Sequence, residues 1–286
     1  MQKPVTETIR QRFSCRTYLE QPIDDQRQRR LTEFLATNQA GPLGTRARFA
    51  LIAAGPGDPE ALRGLGTYGF IKGATGFIVG AAQRSAKDLE DFGYLMEHAI
   101  LFATDLGLGT CWLGGTFSRS RFAGKIELRR DEILPAVTAV GTIAEGPQAR
   151  DWIRQQARGA DRFPAALLFF ERQFGRPLLM ADVGAYAPLL EAVRWAPSAS
   201  NKQPWRIVRN EDAFHFYLSR IKGYGKGSLL FSLLRIADLQ RVDLGIAMCH
   251  FELTARELGL AGRWAIQDPD IAKPDDRTEY IVSWIG

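Results

Sequence analysis

Three hydrogen-bond donors alternate along a short stretch near the N-terminus. Arg12, Ser14 and Arg16 occupy every second position of IRQRFSCRTY. In an extended backbone such residues point to one side, while Phe13 and Cys15 would face the core. Two guanidinium groups and a hydroxyl on one side are suited to a phosphate dianion. The alternative is a solvated basic edge, and the spacing by itself favours it.

A second polar stretch, APSASNKQPW, connects a helix-like segment to a strand-like one. It carries four short hydrogen-bonding side chains, which are Ser198, Ser200, Asn201 and Gln203. Pro197 and Pro204 restrict the backbone on either side of them. A rigid polar loop can read the edge of a heterocycle, because each amide side chain offers a donor and an acceptor. The alternative is a tight connector whose side chains bond to their own backbone.

A glycine-rich stretch, GLGTCWLGG, occupies residues 107–115 and follows another helix-like segment. It does not follow a strand, as a dinucleotide-binding fingerprint should, and it lacks the lysine of a phosphate-binding loop. A helix C-cap and a turn account for Gly107 and Gly109. Gly114 and Gly115 are less well explained by these, and they would permit close backbone approach to a flat ligand.

The elements that must position these residues occur twice along the chain. DLEDFGYLMEHAILFATDLGLGTCW begins at Asp88, and DLQRVDLGIAMCHFELTARELGLAGRW begins at Asp238. Apolar residues recur in both at steps of three and four, which predicts a helix with one apolar face. Both end in a glycine that predicts a helix C-cap.

The segments around these two helices also follow the same order. Predicted helices at DDQRQRRLTEFLATN and YAPLLEAVRWA lead through turn-rich linkers to predicted strands at RFALIAAG and WRIVRN. Further strands are predicted at AVTAVGTIAEG and TEYIVSWIG. We therefore predict two related α+β halves, residues 1–165 and 166–286. Pairing of a duplicated half with its sibling would mimic a symmetric homodimer within one chain.

The polar features are divided between the two halves. The first half has RQRFSCRTY and the glycine pair Gly114–Gly115, whereas the second half has the Ser/Asn/Gln loop. The first half has ATNQAGPLGTRARF where that loop would stand. If the halves pair as a dimer would, one ligand site is complete and the other has been lost.

Composition limits the classes of function. The 286 residues are 45% hydrophobic and 24% charged, as in ordinary globular proteins. No apolar run approaches the roughly 18 residues of a membrane span, and the N-terminus has no signal-peptide pattern. Three scattered cysteines fit neither a disulfide framework nor a metal site, which favours a reducing, cytoplasmic compartment.

Charge and histidine spacing add two further limits. The net charge of +5 weakly favours anionic ligands, but the arginines are not clustered as a nucleic-acid surface would need. His98, His215 and His250 have no metal-ligand spacing, so we expect no metal site.

In their order along the chain, IRQRFSCR, GLGTCWLGG and APSASNKQPW resemble motifs of the nitroreductase-like flavoprotein family. The resemblance spans essentially the whole chain and is strongest to the branch in which two family-like halves are fused. APSASNKQPW is its most specific part. Two features depart from the family pattern: Phe13 replaces a second basic residue, and the Ser/Asn/Gln loop comes from the second half.

The resemblance implies that flavin mononucleotide (FMN) binds between the halves, one per chain. From the first half, the implied phosphate contacts are Arg12, Ser14 and Arg16, with Arg162 as a later basic residue. The implied ring contacts of the same half are Trp112, Leu113, Gly114 and Gly115. From the second half, the implied clamping residues are Pro197, Ser198, Ser200, Asn201 and Gln203.

The family also implies an oxidoreductase. NAD(P)H would reduce FMN and leave, and an organic acceptor such as a nitroaromatic or a quinone would follow in a ping-pong sequence. No catalytic side chain is implied, because the cofactor carries the hydride chemistry. The backbone N–H of Gly114 or Gly115 is the candidate donor to flavin N5.

We expect a monomer with a small-molecule electron acceptor and with no nucleic-acid or membrane partner. One alternative is a non-enzymatic protein that stores or senses FMN. The other is a basic nucleic-acid-binding protein, which only the high isoelectric point suggests.

Overall fold

The computed structural model describes residues 1–55, 60–144, 161–221 and 236–286. The α-helices of these ranges are α1 Val5–Gln11, α2 Asp25–Thr37, α3 Asp88–Asp105, α4 Arg119–Lys125, α5 Ala165–Leu168, α6 Ala187–Trp195 and α7 Leu239–Glu257. Short 3-10 helices occupy Met180–Asp182, Gly184–Tyr186 and Ala199–Asn201. The strands are β1 Ala47–Ala53, β2 Gly76–Gln83, β3 Gly109–Leu113, β4 Glu132–Ile133, β5 Val137–Gly141, β6 Phe169–Glu171, β7 Trp205–Asn210, β8 Ala213–Ser219, β9 Arg263–Ala265 and β10 Thr278–Ile285.

The structure confirms the predicted helices and strands that flank the motifs, but Gly109, which was assigned to a turn, is the first residue of β3. The predicted helices at 24–38 and 186–196 are α2 and α6, and the two long repeats form α3 and α7. Gly107 and Gly259 follow these two helices with φ of 78° and 69°. This left-handed conformation ends a helix, and glycine adopts it without the strain of a Cβ.

Two antiparallel sheets share one strand order. The first sheet runs β1-β2-β5-β3, with β4 also paired to β2. The second runs β6-β7-β8-β10-β9, in which only β6 joins in parallel. The order β7-β8-β10-β9 repeats the order β1-β2-β5-β3. The described part of the chain is therefore an α+β structure with a five-stranded sheet in each of two regions.

The long helices α3 and α7 cross at two glycines. A Cβ added to Gly93 would lie 2.2 Å from the carbonyl oxygen of Val242 on α7. A Cβ added to Gly245 would lie 1.9 Å from the carbonyl oxygen of Glu90 on α3. Gly245 and Val242 each lie 152 residues after Gly93 and Glu90, so the contact is reciprocal. Only glycine allows two helix backbones to approach this closely.

A fully buried carboxylate joins the two regions beside this crossing. Glu97 on α3 accepts a hydrogen bond from the indole N–H of Trp112 at 2.7 Å. Its other oxygen lies 3.0 Å from Nε2 of His250 on α7 and 3.7 Å from Nε of Arg12. A buried carboxylate needs such partners, because desolvation without them would be strongly unfavourable. The three contacts tie the N-terminal segment, β3 and α7 to one point.

Two absences hold for residues 1–55, 60–144, 161–221 and 236–286. None of the helices there is both long and apolar enough to cross a membrane. Those residues also contain no group of three His, Cys, Asp or Glu side chains that could hold a metal ion.

Candidate functional site

A cavity of about 390 Å³ lies where four segments meet. They are the N-terminal segment after α1, the end of β3 with its following turn, the loop after α6, and the first two turns of α7. The first two belong to the region of the first sheet, and the last two to the region of the second. The cavity therefore collects the separate polar stretches of the sequence in one place.

Ser14 and Arg16 both line this cavity, while Cys15 between them is buried in the core. This alternation is expected for extended backbone, and single bridges from Ser14 to Thr110 and from Thr17 to Lys72 hold the segment in place. Arg12, in contrast, is not among the lining residues. It is the C-cap of α1, and its guanidinium lies near the buried carboxylate of Glu97.

The end of β3 forms one wall. Trp112, Leu113, Gly114 and Gly115 all line the cavity. Because the indole N–H of Trp112 donates a hydrogen bond to Glu97, the orientation of the Trp112 ring is fixed. A Cβ on Gly114 would lie 2.5 Å from Leu239, and one on Gly115 would lie 3.1 Å from Ile236. The two glycines thus allow this turn to pack closely against the second region.

The loop after α6 supplies Pro197, Ser198, Ala199 and Ser200 to the opposite wall. Its backbone is unusual, because Ser200, Asn201 and Gln203 have φ of 51°, 52° and 47°. Left-handed backbone is strained for residues other than glycine, and it persists only where other contacts impose it. Here the hydroxyl oxygen of Ser198 accepts from the N–H of Gln203 at 2.8 Å.

Asn201, Gln203 and Arg162 lie behind this loop and are not among the lining residues of the cavity. The Gln203 amide oxygen accepts from the N–H of Phe163 at 2.9 Å, and Gln203 is only 1% exposed. The Asn201 amide donates to the carbonyl oxygen of Asp161 at 2.9 Å. Arg162 donates to the Asn201 side chain at 3.3 Å and packs over the Trp195 ring. These side chains support the loop from the side away from the cavity.

Several lining residues were missed by the sequence reasoning. Phe70 lines the cavity and is 39% exposed. Leu239, Val242, Asp243 and Ile246 line it from one face of α7. One signal was present, because Asp243 interrupts the predicted apolar stripe of that helix. Phe70 carried no comparable signal in the sequence.

Two ionisable side chains, those of Arg16 and Asp243, contribute to the electrostatic character of the cavity. Arg16 is the cationic side chain among the described lining residues, and Asp243 is the acidic one. Burial raises the pKa of Asp243 well above its ordinary value, and the hydrogen bond from the Ala199 N–H opposes this only in part. The guanidinium group of Arg16 and the hydroxyl group of Ser14 are donors suited to an anionic group at this wall of the cavity.

A larger cavity of about 730 Å³ lies between α1, α6 and the end of α7. Its lining includes Glu7, Arg10, Glu191 and Glu257, but none of the predicted ligand-binding residues. Its acidic side chains outnumber its one arginine, so it is poorly suited to a phosphate.

A family model described as "Putative TM nitroreductase" matches residues 4–255. No curated protein matches the chain.

Solved structures give matches of two kinds. One from Thermotoga maritima MSB8, described as a "putative nitroreductase", is 18% identical, covers 100% of this chain and 94% of its own, and has a TM-score of 0.61. Another "putative nitroreductase", in complex with FMN and from Desulfovibrio desulfuricans, is 26% identical, covers 51% of this chain and 89% of its own, and has a TM-score of 0.40. A nitroreductase with bound FMN from Desulfitobacterium hafniense DCB-2 is 19% identical, covers 51% and 92%, and has a TM-score of 0.38.

The whole-length structural match supports the fold, and the family match covers far more than half of the chain. The chain belongs to the nitroreductase family.

Proposed function

We propose that this protein is an FMN-dependent oxidoreductase that binds one flavin per chain in the 390 Å³ cavity. One observation carries the proposal. The cavity joins Ser14 and Arg16, the Trp112–Gly115 wall and the Pro197–Ser200 loop, although these segments are far apart in sequence. Its volume lies within the range of about 300–1,000 Å³ usual for small-molecule and cofactor sites.

The residues present fit FMN by the chemistry of their donors. Arg16 and Ser14 offer a cation and a hydroxyl for the phosphate. Gly114 and Gly115 line the cavity and carry no side chain, so their backbone permits close approach of a flat ring. The role of Arg12 in phosphate binding, and those of Arg162, Asn201 and Gln203, remain predictions of the family resemblance.

The chain's own contribution to the chemistry is to bind, orient and exclude water. When bound, FMN would supply the hydride chemistry, in which a hydride taken from NAD(P)H is passed to a nitroaromatic or quinone. Trp112, held by Glu97, and the apolar face of α7 fix the two walls between which a ring can be held. The N–H of Gly114 or Gly115 would be the donor to the ring nitrogen that takes the hydride.

We further propose that the two regions are duplicated halves, residues 1–165 and 166–286, paired within one chain. The repeated strand order and the reciprocal Gly93 and Gly245 contacts support this. The halves would then form a complete site without a second chain. A monomer in the cytoplasm is the corresponding expectation.

The test begins with an absorption spectrum of the purified protein reconstituted with FMN. Flavin released by acid should be FMN, at one per chain. NAD(P)H should bleach the bound flavin under anaerobic conditions, and a nitroaromatic or quinone should restore its colour. Bound flavin that NAD(P)H leaves oxidised would instead favour a protein that stores or senses FMN. A protein that binds no flavin would refute the proposal.

A further inference from the structure

Two carboxyl groups occupy equivalent positions on the long helices. Asp91 on α3 and Asp243 on α7 lie 152 residues apart, the same interval that relates Gly93 to Gly245. Each accepts hydrogen bonds from the backbone of the loop that leads into the first hairpin of its own region. Both carboxyl groups thus help to position a loop, but their surroundings differ.

Asp91 uses both of its oxygens within the protein. Oδ1 accepts from the N–H of Leu43 at 2.9 Å, and Oδ2 accepts from the N–H of Thr45 at 2.7 Å. The loop also packs closely over the carboxyl group, because a Cβ on Gly41 would lie 2.2 Å from its Cγ. No room is left for a ligand at Asp91.

At Asp243, one carboxyl oxygen accepts a hydrogen bond and the other has no partner in the described part of the chain. Oδ1 accepts from the N–H of Ala199 at 2.9 Å, while Oδ2 is buried and has no hydrogen-bond partner in the described part of the chain. The residue is 2% exposed and lines the 390 Å³ cavity. A buried polar atom without a partner is unfavourable, so its presence at a cavity points to a bound group that completes it.

The surroundings of Asp243 determine whether its carboxyl group can donate a hydrogen bond as well as accept one. Burial and the neighbouring carboxylate of Asp238 both raise the pKa of Asp243, which favours the protonated form of its carboxyl group. A neutral carboxyl group can accept from Ala199 through one oxygen and donate its proton through the other.

We propose that Asp243 is a ligand-binding residue of this cavity, whose neutral carboxyl group donates a hydrogen bond from Oδ2 to an acceptor atom of the bound flavin. This inference rests on the proposed function. The acceptor lies on the ring or the ribityl chain, since Ser14 and Arg16 are assigned to the phosphate. Asp243 then has two simultaneous tasks, which are to hold the loop at Ala199 and to bind the ligand.

The test uses Asp243→Asn and Asp243→Ala, with Asp91→Asn as the matched control. Asparagine at 243 can accept from Ala199 and donate into the cavity, so the dissociation constant for FMN should stay within about threefold. Alanine should weaken FMN binding by about 2- to 12-fold, the range expected for one neutral hydrogen bond. Riboflavin, which lacks the phosphate, should show the same pattern. Affinities are measured by quenching of flavin fluorescence.

Asp91→Asn should behave in the opposite way. Its amide N–H would face one of two backbone N–H donors, so the apoprotein should be less stable to urea than Asp243→Asn. The folded fraction of Asp91→Asn should still bind FMN as the parent does.

An infrared difference spectrum provides a readout that does not depend on affinity. Addition of FMN should shift a protonated-carboxyl band in the parent and in Asp91→Asn, and this band should be missing in Asp243→Asn. Unchanged flavin affinity in Asp243→Ala, or no shift of that band, would overturn the proposal even if Asp243→Ala folds poorly. Loss of affinity in Asp243→Asn equal to that in Asp243→Ala would also overturn it. A parent that binds neither flavin refutes the proposed function instead.

Discussion

Replacement of Gly245 by alanine tests the close contact between the backbones of α3 and α7. In an exposed helix interior, alanine is more favourable than glycine by about 1 kcal/mol, so helix propensity alone predicts stabilisation. The structure predicts the reverse. The new Cβ would lie 1.9 Å from the Glu90 carbonyl oxygen and 2.8 Å from the Tyr94 nitrogen, both of which are backbone atoms.

The magnitude follows from how little can yield at this point. To restore an ordinary contact near 3.4 Å, α3 and α7 must separate by about 1.5 Å at the crossing. Overpacking of a closed interior typically costs 1–3 kcal/mol, and a clash with backbone lies at the upper end of about 3 kcal/mol. After subtracting the propensity gain of about 1 kcal/mol, we expect a net loss of about 2 kcal/mol. Gly93→Ala should behave alike, since its Cβ would lie 2.2 Å from the Val242 oxygen.

Gly124 provides the matched control. It also lies in a helix, α4, but it is exposed and has no neighbouring atom within 4 Å of an added Cβ. Gly124→Ala should therefore leave stability unchanged or raise it by up to about 1 kcal/mol. Urea unfolding of the apoproteins, followed by far-ultraviolet circular dichroism, measures all three variants. If Gly245→Ala and Gly93→Ala stabilise the protein as Gly124→Ala does, the close helix crossing is absent.

The same variants should separate in flavin binding. Asp243, two residues before Gly245, lines the cavity together with Leu239 and Ile246. Separation of the helices moves this wall away from Gly114 and the end of β3. We therefore expect weaker FMN binding in Gly245→Ala and parent-like binding in Gly124→Ala. Parent-like binding in a destabilised Gly245→Ala would show that the cavity does not depend on the crossing.

Three further predictions address charge, pH and assembly. Arg16→Ala should weaken FMN binding by roughly 10- to 100-fold through loss of one charge-assisted bond, whereas the exposed control Arg63→Ala should not; equal effects would refute the phosphate assignment. Burial lowers the pKa of His98 to about 4. The contribution of the neutral histidine to the free energy of unfolding should therefore be fully present above pH 6.5 and fall by on the order of 3 kcal/mol as the pH decreases to 4. His98→Gln should reduce this pH dependence in urea titrations. Flavin content and NAD(P)H oxidation should remain constant on dilution while light scattering reports a monomer, and their joint loss with a dissociating oligomer would refute an intrachain site.

The fold was largely predictable because its signals are local and repeated. Apolar periodicity located α3 and α7, and the left-handed Gly107 and Gly259 ended them as expected. The chain order of helix, linker and strand then implied two similar regions. The α3–α7 contact itself was not predictable, because a glycine within a helix does not reveal which backbone approaches it.

The site was predictable only where backbone geometry was simple. Ser14 and Arg16 share a side because the segment is extended, but Arg12, the extended C-cap residue of α1, has its guanidinium near the buried Glu97 and does not line the cavity. No glycine or proline in the sequence indicated that helix end. Its observed neighbour, the buried Glu97, lies 85 residues further along the chain. Tertiary contact of this kind cannot be derived from residue spacing.

The polar loop shows a related limit, since an amide serves a ligand and a backbone equally well. Sequence reasoning left both uses open for Asn201 and Gln203, and in the structure both side chains bond to the segment at residues 161–163. Ser198 and Ser200 line the cavity. The three left-handed residues of this loop explain the division, because they turn neighbouring side chains in directions that a regular period does not describe.

If the two regions are duplicated halves, as proposed, the comparison of Asp91 with Asp243 shows how one loop can close over its carboxyl group while the equivalent loop leaves a cavity. In a symmetric dimer of identical chains, any change in the loop affects both sites. In a single chain, the loop at residues 40–45 can close over Asp91 and satisfy both of its oxygens, while the loop at 196–203 keeps one oxygen of Asp243 at a cavity. Burial raises the pKa of Asp91, and its two backbone hydrogen bonds oppose this effect in part. At Asp243, one buried oxygen has no hydrogen-bond partner in the described part of the chain, an unfavourable arrangement that the proposed contact with the flavin would relieve.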